Sequence, residues 1–473
     1  MNEQNQNSLN KEYDAKMTRK YEGKIKDGNL QIGNRLLGDP EVTNLRFLEQ
    51  FDISALNLYI SNDMHVKLRN DTLKKLTVFN DNLLLNQNEE QHDDDDVQKQ
   101  RLNLNVDDLE LENLEVLDLA DINLENDQLY NLAKFKKLHT LDVSRNKVNL
   151  THIHYVTSLT KLSMQECGLK NVDQISSLIN LEDLDICLNR NVDFSPLYQL
   201  KSITKLTMLY SGLTNIDQIK QLINLEVLNI SNNQLLSIDT ISLLVNLKEL
   251  NISYNKQIDI SPLKDLVGLI KLNMNRCELT QLSALKHLIN LQTLDISYNS
   301  DINITELQYL KNLTHLNLNC CNLVSIYVLK PLVNLEYLNI SFNNIVYLDA
   351  NLNEMANIKV LYLQWNSISD FSSLEKHPNF NNINEIGHRC FNISDQNKYS
   401  FEEQLRKANK FRKIESPNIQ LKQIQTQHKA LKTALDNFKE EVNAMTSNAL
   451  QSQIQFTANV VRLFQLLNQV GFE

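Results

Sequence analysis

The chain has 473 residues and a formal net charge of −11. That length exceeds one ordinary core, so two or three domains or an elongated repeat array are expected. The acidic balance argues against nucleic acid or anionic lipid as partner. No segment approaches the roughly 18 unbroken apolar residues of a membrane helix, and six cysteines are too few for a disulfide framework.

The opening residues, Met1 to Asn7, lack the basic start and apolar run of a secretory signal. Together with the sparse cysteines this favours a reducing, cytoplasmic location. Tyr13, Met17 and Tyr21 recur at four-residue steps, which predicts a helix over 9–26 that caps the first structural unit. After Asp27-Gly28, Leu30 and Ile32 are expected to form a first strand. Residues 1–52 are assigned to this helix and capping segment. Weak copies of a leucine pattern follow, at Ile53-Leu56-Leu58 and Leu73-Leu76-Val78. The register then slips across an acidic stretch, about 86–101, that includes Asp93 to Asp96. Adjacent aspartates repel and stay hydrated, so a loop is expected rather than a calcium site, which wants spaced ligands and a glycine turn.

From Leu114 onward twelve segments fit L-x-x-L-x-L-x-x-N/C-x-L or a close variant. Their first positions are Leu114, Leu138, Leu159, Leu181, Ile203, Leu225, Leu247, Leu269, Leu291, Leu313, Leu335 and Ile358, and from Leu181 to Leu335 every step is 22 residues. Within the Leu225 unit, Leu225, Leu228 and Ile230 point inward, the last two at strand period. Asn233 marks a turn, and Leu235, Ile238, Ile241 and Leu244 then recur at the three-residue spacing of a 3₁₀ or irregular arc. One such coil cannot bury its apolar side chains alone; stacked coils can. Asn at the ninth position (Asn146, Asn189, Asn233, Asn255, Asn299, Asn343, Asn366) suits a buried turn whose backbone groups need partners. Cys167, Ser211, Cys277 and Cys321 stand in for it, which assigns these cysteines to structure rather than to redox or metal chemistry. Ile122 departs from the pattern, so the asparagine ladder is expected to start after that coil.

These segments resemble the leucine-rich repeat family, in the short form of bacterial internalins and of the leucine-rich regulatory subunit of protein phosphatase 1, over roughly residues 50 to 395. The resemblance implies an α/β fold of one kind: a curved right-handed solenoid over 53–394, with a parallel β-sheet on its concave face and 3₁₀, irregular or short helical segments on its convex side. It also implies a protein-binding scaffold or adaptor, a regulatory subunit being one form.

On such a sheet the third, fifth, seventh and eighth places of each unit face outward. The fifth place runs from Asp118 and Asp142 to Asp295, Asn317, Asn339 and Tyr362, a polar strip. The third supplies Lys161, Lys205, Lys271, His315 and Tyr337. The eighth carries Tyr210, Tyr254, Tyr298 and Phe342 at 44-residue steps, continued by Trp365, with Arg276 between two of the rings. Aromatic and arginine side chains dominate protein interfaces. Tyr210, Tyr254, Arg276, Asp295, Tyr298, His315, Tyr337, Phe342, Tyr362 and Trp365 are therefore the expected partner-binding residues. Sideways packing of the rings on adjacent coils would give the same row.

Nothing in the sequence indicates catalysis or a cofactor. With nine glycines there is no phosphate loop, and no G-x-S-x-G, H-E-x-x-H or paired C-x-x-C occurs. His152-Ile153-His154 lacks a third ligand nearby in sequence, so no metal is expected. Asp118 and Asp142 lie on an open sheet, without the pocket that tunes catalytic carboxyls. Asn-x-Ser/Thr triplets, as at Asn251 and Asn303, read as accidents of an asparagine-rich chain. The alternatives to an intracellular scaffold are a surface or secreted internalin-like adhesin and an enzyme-associated repeat protein.

Past Ile368 the pattern decays, with Ile383 and Ile386 available for a last coil. Ser416-Pro417 then opens a helix. A heptad from Leu421 to Leu466 has eleven of fourteen a and d positions apolar, which predicts a coiled-coil or bundle seam within 395–473. Such a seam needs a partner, and a homodimer through 421–466 is one expectation.

Overall fold

The computed structural model describes residues 29–32, 48, 51, 53–60, 68–80, 106–124, 129–148, 151–348, 350–368, 374, 377 and 385–387. The chain divides into two units, Met1–Asn397 and Lys398–Glu473, and all described residues belong to the first. The helix expected over 9–26, the acidic stretch 86–101 and the heptad 421–466 lie outside them.

Among the described residues sixteen strands form one parallel sheet in chain order, from Asn29–Ile32 through Ala55–Ile60 and Lys75–Asn80 to Val360–Tyr362 and Glu385–Gly387. The sheet thus begins inside the segment assigned to the cap. The strands expected at Leu30, Leu56, Leu76 and Ile386 are present. Leu206, Leu228, Leu250, Leu272, Leu294, Leu316 and Leu338 stand in register, because a constant repeat length returns the same side chain to the same place on each strand. Lys75 pairs with Val116, nearly twice the usual step. Within that extra length Leu109–Glu110 forms a small side sheet with Leu68–Arg69, which precedes the Lys75 strand.

The interior matches the leucine pattern. Leu225, Leu228, Ile230, Leu235, Ile238, Ile241 and Leu244 are all buried, and burying each removes about 1.5–3 kcal/mol of unfavourable apolar hydration. Short 3₁₀ turns such as Asp239–Leu243 and Ser261–Asp265 close the outer arcs. Their hydrogen bonds reach back three residues, which fits the three-residue spacing of the apolar side chains. Some arcs depart from the Leu225 type. After Asn255 the buried residues are Ile258, Ile260, Pro262, Leu263 and Leu266, and Gln257 takes a left-handed φ of 57°.

Two asparagine ladders tie the coils together. The inner one uses the ninth position. Asn299 Nδ2 donates to Met274 O (3.1 Å), Ile296 O and Ser297 O, while its Oδ1 accepts the N–H groups of Cys277 and Leu279. Cysteine and serine keep only the donor half. Cys277 Sγ donates to Ile252 O (3.3 Å) and Ser211 Oγ to Ile186 O (3.4 Å). Their own amides are received by the asparagine of the next coil, as Ser211 N–H is by Asn233. The inner ladder's first rung is Asn146, which reaches back to Leu119 O in the Ile122 coil. The outer ladder, not anticipated above, uses the asparagine just before a coil's first leucine. Asn180, Asn224, Asn246, Asn290, Asn312 and Asn334 each donate to a carbonyl of the preceding coil at 2.9–3.0 Å.

Candidate functional site

The open face of the sheet carries the side chains singled out by sequence, and the strand pleat explains why. With side chains alternating, the fourth and sixth places go inward and the third, fifth and seventh outward. The eighth place follows the strand, and its backbone is unusual. In all twelve coils from Asp121 to Trp365 it is left-handed, with φ between 53° and 60°. Its amide still joins the sheet's bonding: Tyr254 N–H donates to Asn275 O and Phe342 N–H to Gln364 O, both at 2.8 Å.

Three clusters form on this face. In the first, the Arg276 guanidinium lies 5.4 Å from the Tyr254 ring centre and 4.0 Å from that of Tyr298. Burial pushes the Tyr298 phenol up to about 12, against the Arg276 charge, which lowers it. In the second, Phe342 stacks on Trp365 with centroids 5.4 Å apart and planes at 19°. In the third, His315 stacks on Tyr337 at 5.8 Å, and Tyr337 meets Tyr362 edge-on at 5.8 Å. Tyr210 stands apart, with Arg190 5.5 Å from its ring. The expected row is therefore real but interrupted, by Asn232 between Tyr210 and Tyr254 and by Cys320 between Tyr298 and Phe342. The rings do pack sideways on neighbouring coils, yet Phe342 remains 47% and Trp365 38% exposed.

The fifth place needs a different description. Asp295 Oδ1 accepts the Ser297 N–H (2.9 Å) and hydroxyl, and its Oδ2 accepts Asn317 Nδ2 (3.0 Å). Asn229, Asn251 and Asn339 accept the N–H and hydroxyl of a serine two residues on in the same way. These oxygens terminate the strands as Asx turns. Asparagine-x-serine triplets are thus turn devices rather than accidents of composition. Burial raises the Asp295 carboxyl above its ordinary range, against the hydrogen bonds that lower it. The third-place lysines are likewise engaged: Asp183 lies 3.1 Å from Lys161 and 3.2 Å from Lys205, and Lys271 lies 2.7 Å from Glu249. Among the described residues no carboxylate pairs with Arg276.

Leucine-rich repeats, in the description of a two-copy family model, match residues 223–265. An internalin (InlF) from Listeria monocytogenes superposes with a TM-score of 0.50 at 22% identity, covering 55% of this chain and 78% of its own. The chain has the leucine-rich repeat fold. A leucine-rich repeat protein from Leptospira interrogans superposes with a TM-score of 0.50 at 23% identity over 73% of this chain and 95% of its own. TLR13, solved in complex with ssRNA13, gives 0.51 at 18% identity over 72% and 54%. No curated protein matches by sequence at a significant level. At these identities the likeness is one of fold.

In this leucine-rich repeat sheet two buried side-chain oxygens at the seventh place, Asn275 Oδ1 and Gln364 Oε1, have no hydrogen-bond partner. Each is the chain neighbour of a clustered side chain, Arg276 or Trp365. His152 and His154 lie on an outer arc, where His152 meets the Tyr130 ring at 4.5 Å, and among the described residues no group of three His, Cys, Asp or Glu is placed to hold a metal. No described helix is long and apolar enough to cross a membrane.

Proposed function

We propose that this leucine-rich repeat protein is a non-catalytic cytoplasmic scaffold, and that it holds a partner protein on the open sheet face between Tyr254 and Trp365. Leucine-rich repeat folds generally serve protein–protein interaction; the location, the compartment and a regulatory-subunit role are the further step. The observation that carries the reading is the left-handed eighth place. That backbone disfavours a side chain with a Cβ by about 1–2 kcal/mol, and glycine or asparagine relieves it. Asn232 holds the same position, so the fold does not require a ring. Tyr254, Arg276, Tyr298, Phe342 and Trp365 keep bulky side chains there, and these are interface residue types. Arg276 has no carboxylate beside it among the described residues, which favours a partner carboxylate. Free, buried thiols at Cys167, Cys187, Cys277 and Cys321 support the reducing compartment.

The test is a titration of a purified partner, first captured on the full chain, against wild type and a Tyr254→Asn, Tyr298→Asn, Phe342→Asn variant. Asparagine tolerates the backbone, so the thermal midpoint should hold or rise. Affinity should fall by roughly 30-fold or more for each true anchor. Unchanged affinity removes these rings from the interface. Surface biotinylation of intact cells separates the scaffold from an exported adhesin, because only an adhesin is labelled.

A further inference from the structure

A second surface lies at the corner where each coil enters its strand, away from the aromatic clusters. The residue two before each first leucine points to solvent there. Ile179, Ile223, Val245, Val267, Ile289 and Val333 occupy this place and are 44–62% exposed. Over the eight coils from Leu181 to Leu335, Lys201 and Lys311 fill the remaining two places, and Glu112, Lys136, Thr157 and Ala356 hold it in the outlying coils. Because the coils stack in register, these residues recur once per coil as one stripe, with neighbours separated by about the 4.8 Å strand spacing or more. Large branched aliphatics aligned on a surface mark an interaction site.

The order of the stripe identifies the occupant. Read along the coils it is Ile, Lys, Ile, Val, Val, Ile, Lys, Val, which is nearly the same from either end. A two-fold axis between Val245 and Val267 lays Val245 on Val267 of a second copy, and Ile223 on Ile289. Residue i meeting j while j meets i is what an isologous dimer requires. Lys201 and Lys311 bound the four-residue apolar block, where their stems extend the apolar contact and their heads reach water. Lys201 donates to Gln221 Oε1 of its own chain at 2.8 Å. The six aliphatic side chains offer roughly 500–600 Å² per copy, and the flanking residues bring this toward the ~800 Å² per partner of a standard interface.

Gly268 supports the same axis. It occupies the outer-ladder place next to Val267, where Asn224, Asn246, Asn290 and Asn312 carry amides on the surrounding coils. The fold does not demand glycine there. Its φ is not left-handed, and an added Cβ would meet only Val245 O at 3.7 Å and Leu247 O at 3.9 Å, ordinary contacts. The one bare backbone position falls at the centre of the stripe, where two copies would approach most closely.

We infer that this chain forms a two-fold homodimer through the aliphatic stripe, with Gly268 at its centre. The test uses full-length protein and two readouts. Gly268→Asn should restore the outer ladder, so its thermal midpoint holds or rises, while sedimentation equilibrium at micromolar concentration shifts from twice the chain mass to one. Ile223→Cys and Ile289→Cys proteins, mixed under mild oxidation, should form a disulfide-linked heterodimer. Ile223→Cys alone should not link to itself, because its two copies lie three coils apart, about 14 Å, beyond disulfide reach. A wild-type monomer overturns the inference. So does a dimer untouched by Gly268→Asn, which would place association in the heptad 421–466. Self-linking of Ile223→Cys as efficient as the mixed reaction overturns the antiparallel register. None of these outcomes depends on partner binding to the sheet face.

Discussion

At the residue scale, burial sets the chemistry of the cysteines. It pushes the thiols of Cys167, Cys277 and Cys321 up to about 12 and that of Cys187 higher still. The thiolate is the reactive form, so at pH 8 these four should resist a disulfide reagent in native protein and react at once in denaturant. Rapid native labelling of any of them would contradict the packing. Asp295 behaves in the opposite sense to a stabilising surface carboxylate. Its pKa is raised above 3.8 by burial, so the folded chain holds the proton more tightly than the unfolded chain. Its contribution is greatest at low pH and is lost as pH rises through the folded-state value. Asp295→Asn, the residue type already present at Asn273 and Asn317, should therefore shrink the fall in thermal midpoint between pH 4 and pH 7. An unchanged difference would show that Asp295 is not desolvated. The structural role of Cys277 was legible, because a small donor at an asparagine position can only fill part of asparagine's task. The left-handed backbone at Tyr254 was not, because no glycine marks it. The Asx turn at Asn251 was in plain sight as an Asn-Ile-Ser triplet but lacked a geometric reading.

At the scale of the element, the coil is held by unequal ladders. Removing an inner rung orphans buried amides: Asn299→Ala leaves the N–H groups of Cys277 and Leu279 without an acceptor, at about 1–3 kcal/mol each. An exposed outer rung such as Asn290 lets water replace its bond to Val267 O, and Asn290→Ala should lose only about 0.5–1.5 kcal/mol. Denaturant unfolding of the two variants checks this, and equal losses would mean that the inner ladder is solvated. The inner ladder was readable because its asparagines sit inside the leucine motif. The outer one also recurs, mostly as Ile-Asn-Leu or Val-Asn-Leu and once as Lys311-Asn312-Leu313, but falls before the motif's first leucine. The third-place pairs, Lys161 and Lys205 around Asp183, needed register as well as pattern. Exposed as they are, such pairs contribute about 0–1 kcal/mol, so they tune the face more than they hold the coil.

For the molecule as a whole, one repeat length explains both the solenoid and its two surfaces. A constant 22-residue step keeps leucines inside, puts rings and Arg276 on the sheet face, and lines branched aliphatics along the entering corner. The architecture was legible because periodicity is a property of many residues at once and survives exceptions such as Ile122. The aromatic clusters were only half legible: the sequence places the rings in a row, while their grouping into Tyr254–Arg276–Tyr298, Phe342–Trp365 and His315–Tyr337–Tyr362 depends on side-chain directions that spacing does not fix.

Tyrosines on the outer arcs supply a built-in reference for the binding face. Tyr130, Tyr155, Tyr309 and Tyr327 are 51–65% exposed and lie away from the sheet. Hydroxyl-radical footprinting of the full chain, alone and with its purified partner, measures both sets in one experiment. Oxidation of Tyr337, Phe342 and Trp365 should fall several-fold on binding while the outer-arc tyrosines are unchanged. Protection of the outer arcs with Phe342 and Trp365 still fully reactive would contradict the assignment of the sheet face as the site.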